Sequence, residues 1–312
     1  MASSLVSYYG GKSTQSNFIY SQITPEMKSS ISTYVEPFSG LFWVYFNEDF
    51  SWCKNIIYND MNQFLTNFLV CAKDKKLSEY FDYLNQPGKL FHFNPYIDSD
   101  PATSYKINYD YFKSLFEHFR KEIYTDNIGK EIRIDIPDYQ LAIKYGFLLR
   151  HAFSGISHEK IGFSYSASSY KEGKKVPEPK SQILIRKLKD EKLINKLNGI
   201  THFGTYDFQD LIEVHDNENT LFYVDPPYFS CENNYYRGNE NFGKKGHERL
   251  ANVLKNIKGK FILSYYDFDN LKVMYPEDKY RWERKSFTKA TTSITKDKNH
   301  NKQGHEILIM NY

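Results

Sequence analysis

The chain has 312 residues, 40% of them hydrophobic and 25% charged, with a formal net charge of +3, which is long enough for one large or two modest domains around a sizeable core. No run approaches the roughly 18 apolar residues that a membrane span needs, and Met1 to Tyr9 lacks the charged-then-apolar pattern of a secretory leader, so the expected location is cytoplasmic. Cys53, Cys71 and Cys231 have no paired spacing and the nine histidines no metal-ligand spacing, so neither a disulfide framework nor a metal site is indicated.

Thr33 to Glu36 and Asn55 to Tyr58 read as short buried strands, each followed by a segment of helical length, which is a βαβ pattern. Met61 to Lys73 carries Phe64, Leu65, Phe68 and Leu69 at helical spacing. From about Leu77 to Lys180 the character changes to helical stretches (Tyr105 to Tyr124, Tyr139 to Phe153) and loops without strand-helix alternation, which predicts an inserted domain. Alternation resumes with Thr201 to Tyr206, Leu221 to Val224 and Phe261 to Tyr265. The helix between the last two runs from Lys244 to Ile257, with Gly259 as its expected stop. Tyr280 to Phe287 and Glu306 to Asn311 predict a final antiparallel pair.

The most informative feature is Asp225, Pro226, Pro227, Tyr228, directly behind the apolar run Thr220 to Val224. Open α/β sheets hold ligands at the carboxyl ends of such strands. Two consecutive prolines fix φ twice and give up two N–H groups, which leaves a stiff turn with an acidic side chain, acceptor carbonyls and an aromatic ring.

Several separated segments resemble the alpha group of DNA adenine N6-methyltransferases, the Dam-like family. Tyr8, Tyr9, Gly10, Gly11, Lys12 is similar to an aromatic-x-G-G-K segment, and Val35, Glu36, Pro37, Phe38, Ser39, Gly40 to a V-E-P-F-x-G cofactor loop. Asn59, Asp60, Met61, Asn62 is similar to the acidic turn after the second strand. Gly246 to Ala251, Phe261 to Asp267 and the tail from His305 to Tyr312 resemble segments that follow the catalytic loop. The likeness covers the beginning and the last third of the chain and is weak in the middle. It implies a seven-stranded, mostly parallel Rossmann-like methyltransferase sheet, with an S-adenosylmethionine-dependent catalytic domain at 1–76 and 181–312. A mainly helical target-recognition domain would occupy 77–180.

The resemblance assigns cofactor contacts to Tyr8, Gly11, Lys12, Glu36, Pro37, Phe38, Ser39, Gly40, Asp60, Asp207, Phe208 and Asp225. Glycines at 10 and 11 let the backbone approach a ligand, and Lys12 offers a cation to a carboxylate; the bland reading is an ordinary turn ending in a helix cap at Ser13. Asp60 can accept from vicinal ribose hydroxyls or cap the helix beginning at Met61. Asp207-Phe208 suits the cofactor's adenine or a plain helix start. Phe42 stands where the family carries a glycine or small residue, so the segment is no dinucleotide fingerprint.

At Asp225 to Tyr228 the implied chemistry has a physical basis. The adenine amino nitrogen is a poor nucleophile because its lone pair is delocalised into the ring. The Asp225 carboxylate and the Pro226 carbonyl would hold its two hydrogens and aim the lone pair at a sulfonium methyl. The base must first leave the duplex stack, and Tyr228 would receive it. The loop containing Tyr236 and Arg237 could close over the substrate or be a solvated loop. Lys171, Lys174, Lys175 and Lys180, followed by Arg186, Lys187 and Lys189, form a basic loop suited to the phosphates of double-stranded DNA, or a solvated face. A comparable loop could serve cytosine N4 or an RNA base, and a catalytically silent nucleic-acid-binding module could retain the fold. The expected setting is bacterial or phage-encoded, as a monomer or weak dimer, without a metal and with a cognate restriction endonuclease as partner.

Overall fold

The short apolar runs of the sequence become a seven-stranded sheet. Its strands are β1 Thr33–Glu36, β2 Asn55–Asn59, β3 His202–Gly204, β4 Thr220–Val224, β5 Lys260–Tyr265, β6 Arg281–Thr288 and β7 Gln303–Met310. They lie in the order β3-β2-β1-β4-β5-β7-β6. The computed structural model describes residues 5–6, 11–127, 129–152, 162–165, 179–229, 242–288 and 303–312. The chain divides into two compact units: Met1–Thr14, Gly40–Glu48 and Asp60–Thr205 form the first, and Gln15–Ser39, Asp49–Asn59 and Tyr206–Tyr312 the second.

In the second unit β1 pairs in parallel with β2 and β4, and β4 with β5, while β7 runs antiparallel between β5 and β6. All five residues of β4 are buried, as expected of a parallel strand covered on both faces. Strand order reverses between β1 and β4, so the loops after these two neighbours flank a topological switch point. Val35, Phe222, Val224, Leu263 and Ile309 form the core with Leu211 and Ile212 of the helix Phe208–His215 and Leu250 and Leu254 of the helix Gly243–Lys255.

That last helix ends at Lys255 with Asn256 as its cap, four residues before the glycine expected to stop it. Gly259 has a different task. A Cβ there would lie 2.9 Å from the Thr220 carbonyl oxygen, and the Gly259 N–H donates to the Asp216 carboxylate at 2.8 Å. The glycine permits a close backbone approach at the entry to β4.

Asn59 ties the ends of β1 and β2 together. Its fully buried amide donates to the Pro37 and Tyr206 carbonyls, both at 3.0 Å, and its Oδ1 accepts the Tyr206 N–H at 2.8 Å. Its backbone N–H donates to Ser39 Oγ at 3.0 Å, and Ser39 N–H returns a bond to the Asn59 carbonyl.

The first unit is mainly helical. Its helices Gln63–Ala72, Lys75–Leu84, Pro101–Lys121, Tyr139–His151 and Glu191–Asn198 are opened by Asn62, Asp74, Asp100, Asp138 and Asp190, whose side chains accept orphan N–H groups of the first turn. The cap of the first of these is Asn62, not Asp60, and the turn at Lys12 leads to a helix that starts only at Ser16. Lys180–Lys187 is also helical. The basic stretch expected there as a loop is thus, from Lys180 onward, a helix, because Ser181, Leu184 and Ile185 give it a buried stripe. Among the described residues no helix is long and apolar enough to cross a membrane.

Aromatic rings fill this helical core. Phe91 stacks on Phe147 at 5.0 Å and on Phe81 at 5.5 Å, and His151 lies 4.5 Å from Phe147. The fully buried imidazole accepts the Ser181 N–H at Nε2 (3.2 Å), so Nδ1 carries the proton and donates to the Ser164 carbonyl at 3.0 Å. Burial pushes its pKa down to about 3. Since the unfolded chain binds a proton near pH 6.5 and the folded chain does not, His151 should stabilise the fold fully above about pH 6.5. That contribution should fade as pH falls toward 3, by at most about 1.4 kcal/mol per pH unit. Urea unfolding between pH 7 and pH 4 should show a steeper pH dependence for the wild type than for His151→Gln; equal slopes would show that the imidazole is not held neutral.

Candidate active site

β4 is buried throughout, with the hydroxyls of Thr220 and Tyr223 as its only polar side-chain groups, so its first acidic side chain appears only where the strand ends. Asp225 is half-buried there, Pro226 and Pro227 are buried, and Tyr228 is half-buried. The Tyr228 hydroxyl donates to Glu306 Oε1 at 2.7 Å and lies 3.2 Å from Ser264 Oγ. Its ring sits 4.3 Å from that of Tyr266 and 6.1 Å from that of Tyr265. Burial first, and then the negative charges of Asp225 and Glu306, push the phenols of Tyr228 and Tyr223 well above their ordinary range; Glu36 adds to the effect at Tyr223. These carboxylates therefore share one neighbourhood with phenols that stay protonated.

Beside it, β1 ends in Glu36, which is buried and accepts the Tyr34 hydroxyl at 2.6 Å. Ser39 Oγ donates to the Glu36 carbonyl at 2.7 Å, closing the loop of Glu36, Pro37, Phe38 and Ser39. Phe38 and Phe208, both expected near the cofactor, are brought together with ring centroids 5.3 Å apart, and Phe242 meets Phe38 edge-on at 5.6 Å. Asp207 caps its helix through the Gln209 N–H at 2.9 Å and pairs with Arg249 at 2.6 Å. The Arg249 guanidinium covers the Phe208 ring at 4.3 Å.

In the first unit the Asp60 carboxylate accepts the Gly40 and Asn62 N–H groups, each at 2.8 Å. Burial raises its pKa, against the lowering effect of those two bonds. Lys12 is buried. Gly11 lies so close to the Trp43 indole that any Cβ would collide with Nε1, and this buried N–H has no hydrogen-bond partner among the described residues. Trp43 was not among the expected site residues. Its signal in the sequence is only its place three residues beyond Gly40.

Phe42, the departure from the small residue expected at that place, adopts a left-handed conformation (φ 55°, ψ 42°), unique among the described non-glycine residues. The ring is fully buried, 4.8 Å from Tyr45 and edge-on to Phe46. The loop keeps the backbone geometry that favours glycine and fills the space with an aromatic ring.

Lys180 belongs to a cluster of cations. Its Nζ donates to Ser164 Oγ at 2.7 Å, and Arg150 Nε donates to its carbonyl at 3.2 Å. Burial first, and then the mutual repulsion of Arg150 with Arg186, Lys180 and Lys187, lowers the pKa of Arg150, Lys180 and Lys187. Tyr8, Lys171, Lys174, Lys175, Tyr236 and Arg237 lie outside the described residues. Among the described residues no group of three or more His, Cys, Asp or Glu side chains could hold a metal ion.

A family model described as D12 class N6 adenine-specific DNA methyltransferase matches residues 8–297. The chain is also similar to the type II methyltransferase M.FokI of Planomicrobium okeanokoites, with 23% identity over 316 aligned positions. That alignment covers 98% of this chain and 42% of the relative, so the chain spans less than half of that protein's length.

For Phe42→Gly, relief of the left-handed strain is worth about 1–2 kcal/mol, whereas loss of a buried phenyl group costs about 3–5 kcal/mol. Packing should win. Urea unfolding should show a net destabilisation of roughly 2 kcal/mol, and a more stable variant would mean that strain dominates.

Proposed function

Because the chain belongs to the D12 class of N6 adenine-specific DNA methyltransferases, we propose that it transfers a methyl group from S-adenosylmethionine to the N6 amino group of an adenine flipped out of duplex DNA at a specific site. One observation carries this reading. The Asp225-Pro226-Pro227-Tyr228 corner and the Glu36–Ser39 loop follow β4 and β1, adjacent parallel strands on either side of the switch point.

S-adenosylmethionine, when bound, supplies an electrophilic sulfonium methyl. The protein's part is positioning and electrostatics. Asp225 accepts one N6 hydrogen through its carboxylate and Pro226 the other through its carbonyl, which localises the nitrogen lone pair and stabilises positive charge as it develops there. Tyr228 offers its ring face to the extruded base, its hydroxyl being occupied elsewhere. Phe38 and Phe208 suit the cofactor's adenine, and Asp60 its ribose hydroxyls, as acidic residues do in other nucleoside-binding α/β folds. Glu36, Pro37, Ser39 and Gly40 shape the loop, and Tyr8 belongs to the same proposed set.

The methionine carboxylate of the cofactor fits the corner formed by Gly11, Lys12 and Trp43. A buried indole N–H without a partner among the described residues is a donor waiting for an acceptor, Lys12 carries the opposite charge, and Gly11 lets its backbone pack directly against that indole.

Residues 77–180 would form the target-recognition part. Lys180, with Arg150, Arg186 and Lys187 beside it, would contact phosphates, as would Lys171, Lys174, Lys175, Tyr236 and Arg237. A gathering of like charges that weakens its own protonation is relieved by an anion. By analogy with a type II relative, a cognate restriction endonuclease is the expected biological partner, and a cytoplasmic monomer or weak dimer the expected state.

Incubation with labelled cofactor and duplex DNA, followed by digestion, should yield N6-methyladenine, and Asp225→Ala should abolish it while leaving DNA affinity within a few-fold. Transfer at wild-type rate by that variant would refute the assigned role. Trp43→Phe should weaken cofactor binding by about 1.5–3 kcal/mol, the worth of a hydrogen bond to a charged group, as read by titration calorimetry; unchanged affinity would remove Trp43 from the site. The double variant Arg186→Ala/Lys187→Ala should flatten the plot of log affinity for DNA against log salt by up to about two units of slope. An unchanged slope would take this helix off the phosphates.

A further inference from the structure

Glu306 is a carboxylate where an apolar side chain would be expected. It lies in β7, flanked in sequence by Ile307, Leu308, Ile309 and Met310, and like them it is buried, with 0% exposure. Removing an unassisted carboxylate from water costs several kcal/mol, so its retention needs a compensating interaction. The partners are specific. Glu306 Oε1 accepts the Tyr228 hydroxyl at 2.7 Å and also the Ser264 hydroxyl, and the two hydroxyls are 3.2 Å apart.

The register shows why these three residues meet. Ser264 pairs with Leu308 and Tyr265 with Ile307, so Glu306 stands level with the carboxyl end of β5. That is the edge from which the Asp225–Tyr228 corner leaves β4, since Val224 pairs with Leu263. A triangle of oxygens thus links the aromatic end of the corner to β5 and β7.

We propose that Glu306 is a positioning residue for methyl transfer, acting through the Tyr228 hydroxyl to fix the ring plane that receives the flipped adenine; this rests on the proposed reading of Asp225–Tyr228 as the base-receiving corner. The phenol stays protonated beside two carboxylates, so the bond runs one way, from Tyr228 to Glu306. Displacing the hydroxyl or tilting the ring axis would break it, and because a phenolic O–H lies in the plane of its ring, the direction of the bond also favours one ring plane. Ser264 holds the carboxylate from the neighbouring strand and leaves its Oε1 aimed at the ring. A stacking platform needs a defined plane, because a base received at the wrong tilt misaligns the N6 lone pair. Bulk hydrophobicity at Tyr228 would supply contact area but not that plane.

The test is single-turnover methyl transfer and steady-state kinetics on duplex DNA with the full chain, for wild type, Glu306→Gln, Ser264→Ala, Tyr228→Phe and Glu306→Gln/Tyr228→Phe, each checked by thermal melting. Glu306→Gln leaves the phenol a weaker, neutral acceptor whose NH2 can equally turn toward it, and should lower kcat about tenfold, with cofactor and DNA affinities within about twofold of wild type. In the Tyr228→Phe background the same substitution should have no further effect, because the hydroxyl through which it acts is gone. A wild-type kcat for Glu306→Gln, or its full penalty persisting in the Tyr228→Phe background, would overturn the proposal. Should Glu306→Gln fail to fold, Ser264→Ala reads the same anchor: a kcat reduced severalfold at unchanged affinity supports the proposal, and an unchanged kcat rejects it. The two levels of inference separate cleanly. If Asp225→Ala is inactive while Glu306→Gln is not impaired, only the positioning role falls; if the wild type methylates no adenine, the reading of the site falls and takes this role with it.

Discussion

The parallel pairing of β1 with β4 is the constraint on which the site depends. Both strands are largely buried and carry no acidic side chain before Glu36 and Asp225, Thr33 standing level with Thr220 and Val35 with Phe222. The acidic side chains of these two strands therefore stand at one edge, where the strand order reverses, a place at which open α/β sheets hold ligands. Asn59 holds the first of the two loops in place with side-chain bonds to Pro37 and Tyr206. Without those bonds three backbone groups would lose their partners, the buried Pro37 carbonyl at the greatest cost.

Phe42 and Trp43 show how a loop can depart from a family's pattern without losing its form. At 42, where the resemblance predicts a small residue, the backbone takes the left-handed turn that favours glycine, here with phenylalanine. Strain of about 1–2 kcal/mol is offset by burial of the ring among Tyr45 and Phe46. The same turn starts the helix Trp43–Asn47 and leaves the indole of its first residue against Gly11. A substitution that seemed to weaken the resemblance thus accompanies a donor that the sequence did not advertise.

Much of the architecture was legible because the signals were local. The apolar runs before Glu36, Asn59 and Asp225 located β1, β2 and β4 to within a residue, and the paired runs at the end gave β6 and β7. What escaped was set by tertiary neighbours. Gly259 looked like a helix stop, but its role is decided by the Thr220 carbonyl across a turn. Lys180 to Lys187 looked like a basic loop because charges mask a stripe of only three buried residues. Glu306 was visible merely as part of a tail, since nothing along the chain says that Tyr228 and Ser264 will reach it. Asp207 and Phe208 were read both as a cofactor pair and as a helix start; the cap to Gln209 is the helix start, and Phe208 packs on Phe38.

The electrostatics of the second unit connect these observations. Glu36, Asp225 and Glu306 all act on the phenol of Tyr223, so three carboxylates gather around one buried side chain. Two of them are offset locally, Glu36 by the Tyr34 hydroxyl and Glu306 by Tyr228 and Ser264. Neutral donors satisfy hydrogen bonds but leave the negative potential in place, and in a medium of low polarity that potential extends over several ångströms. On the proposed reading the charge that arrives is positive twice over: a sulfonium in the bound donor, and then an amino nitrogen gaining positive charge as it is methylated. A fixed negative nest lowers the energy of both without having to reorganise at the moment of transfer. A ligand that brings positive charge is favoured by that potential, and the polarity that makes this core costly to assemble is what suits it to the proposed chemistry.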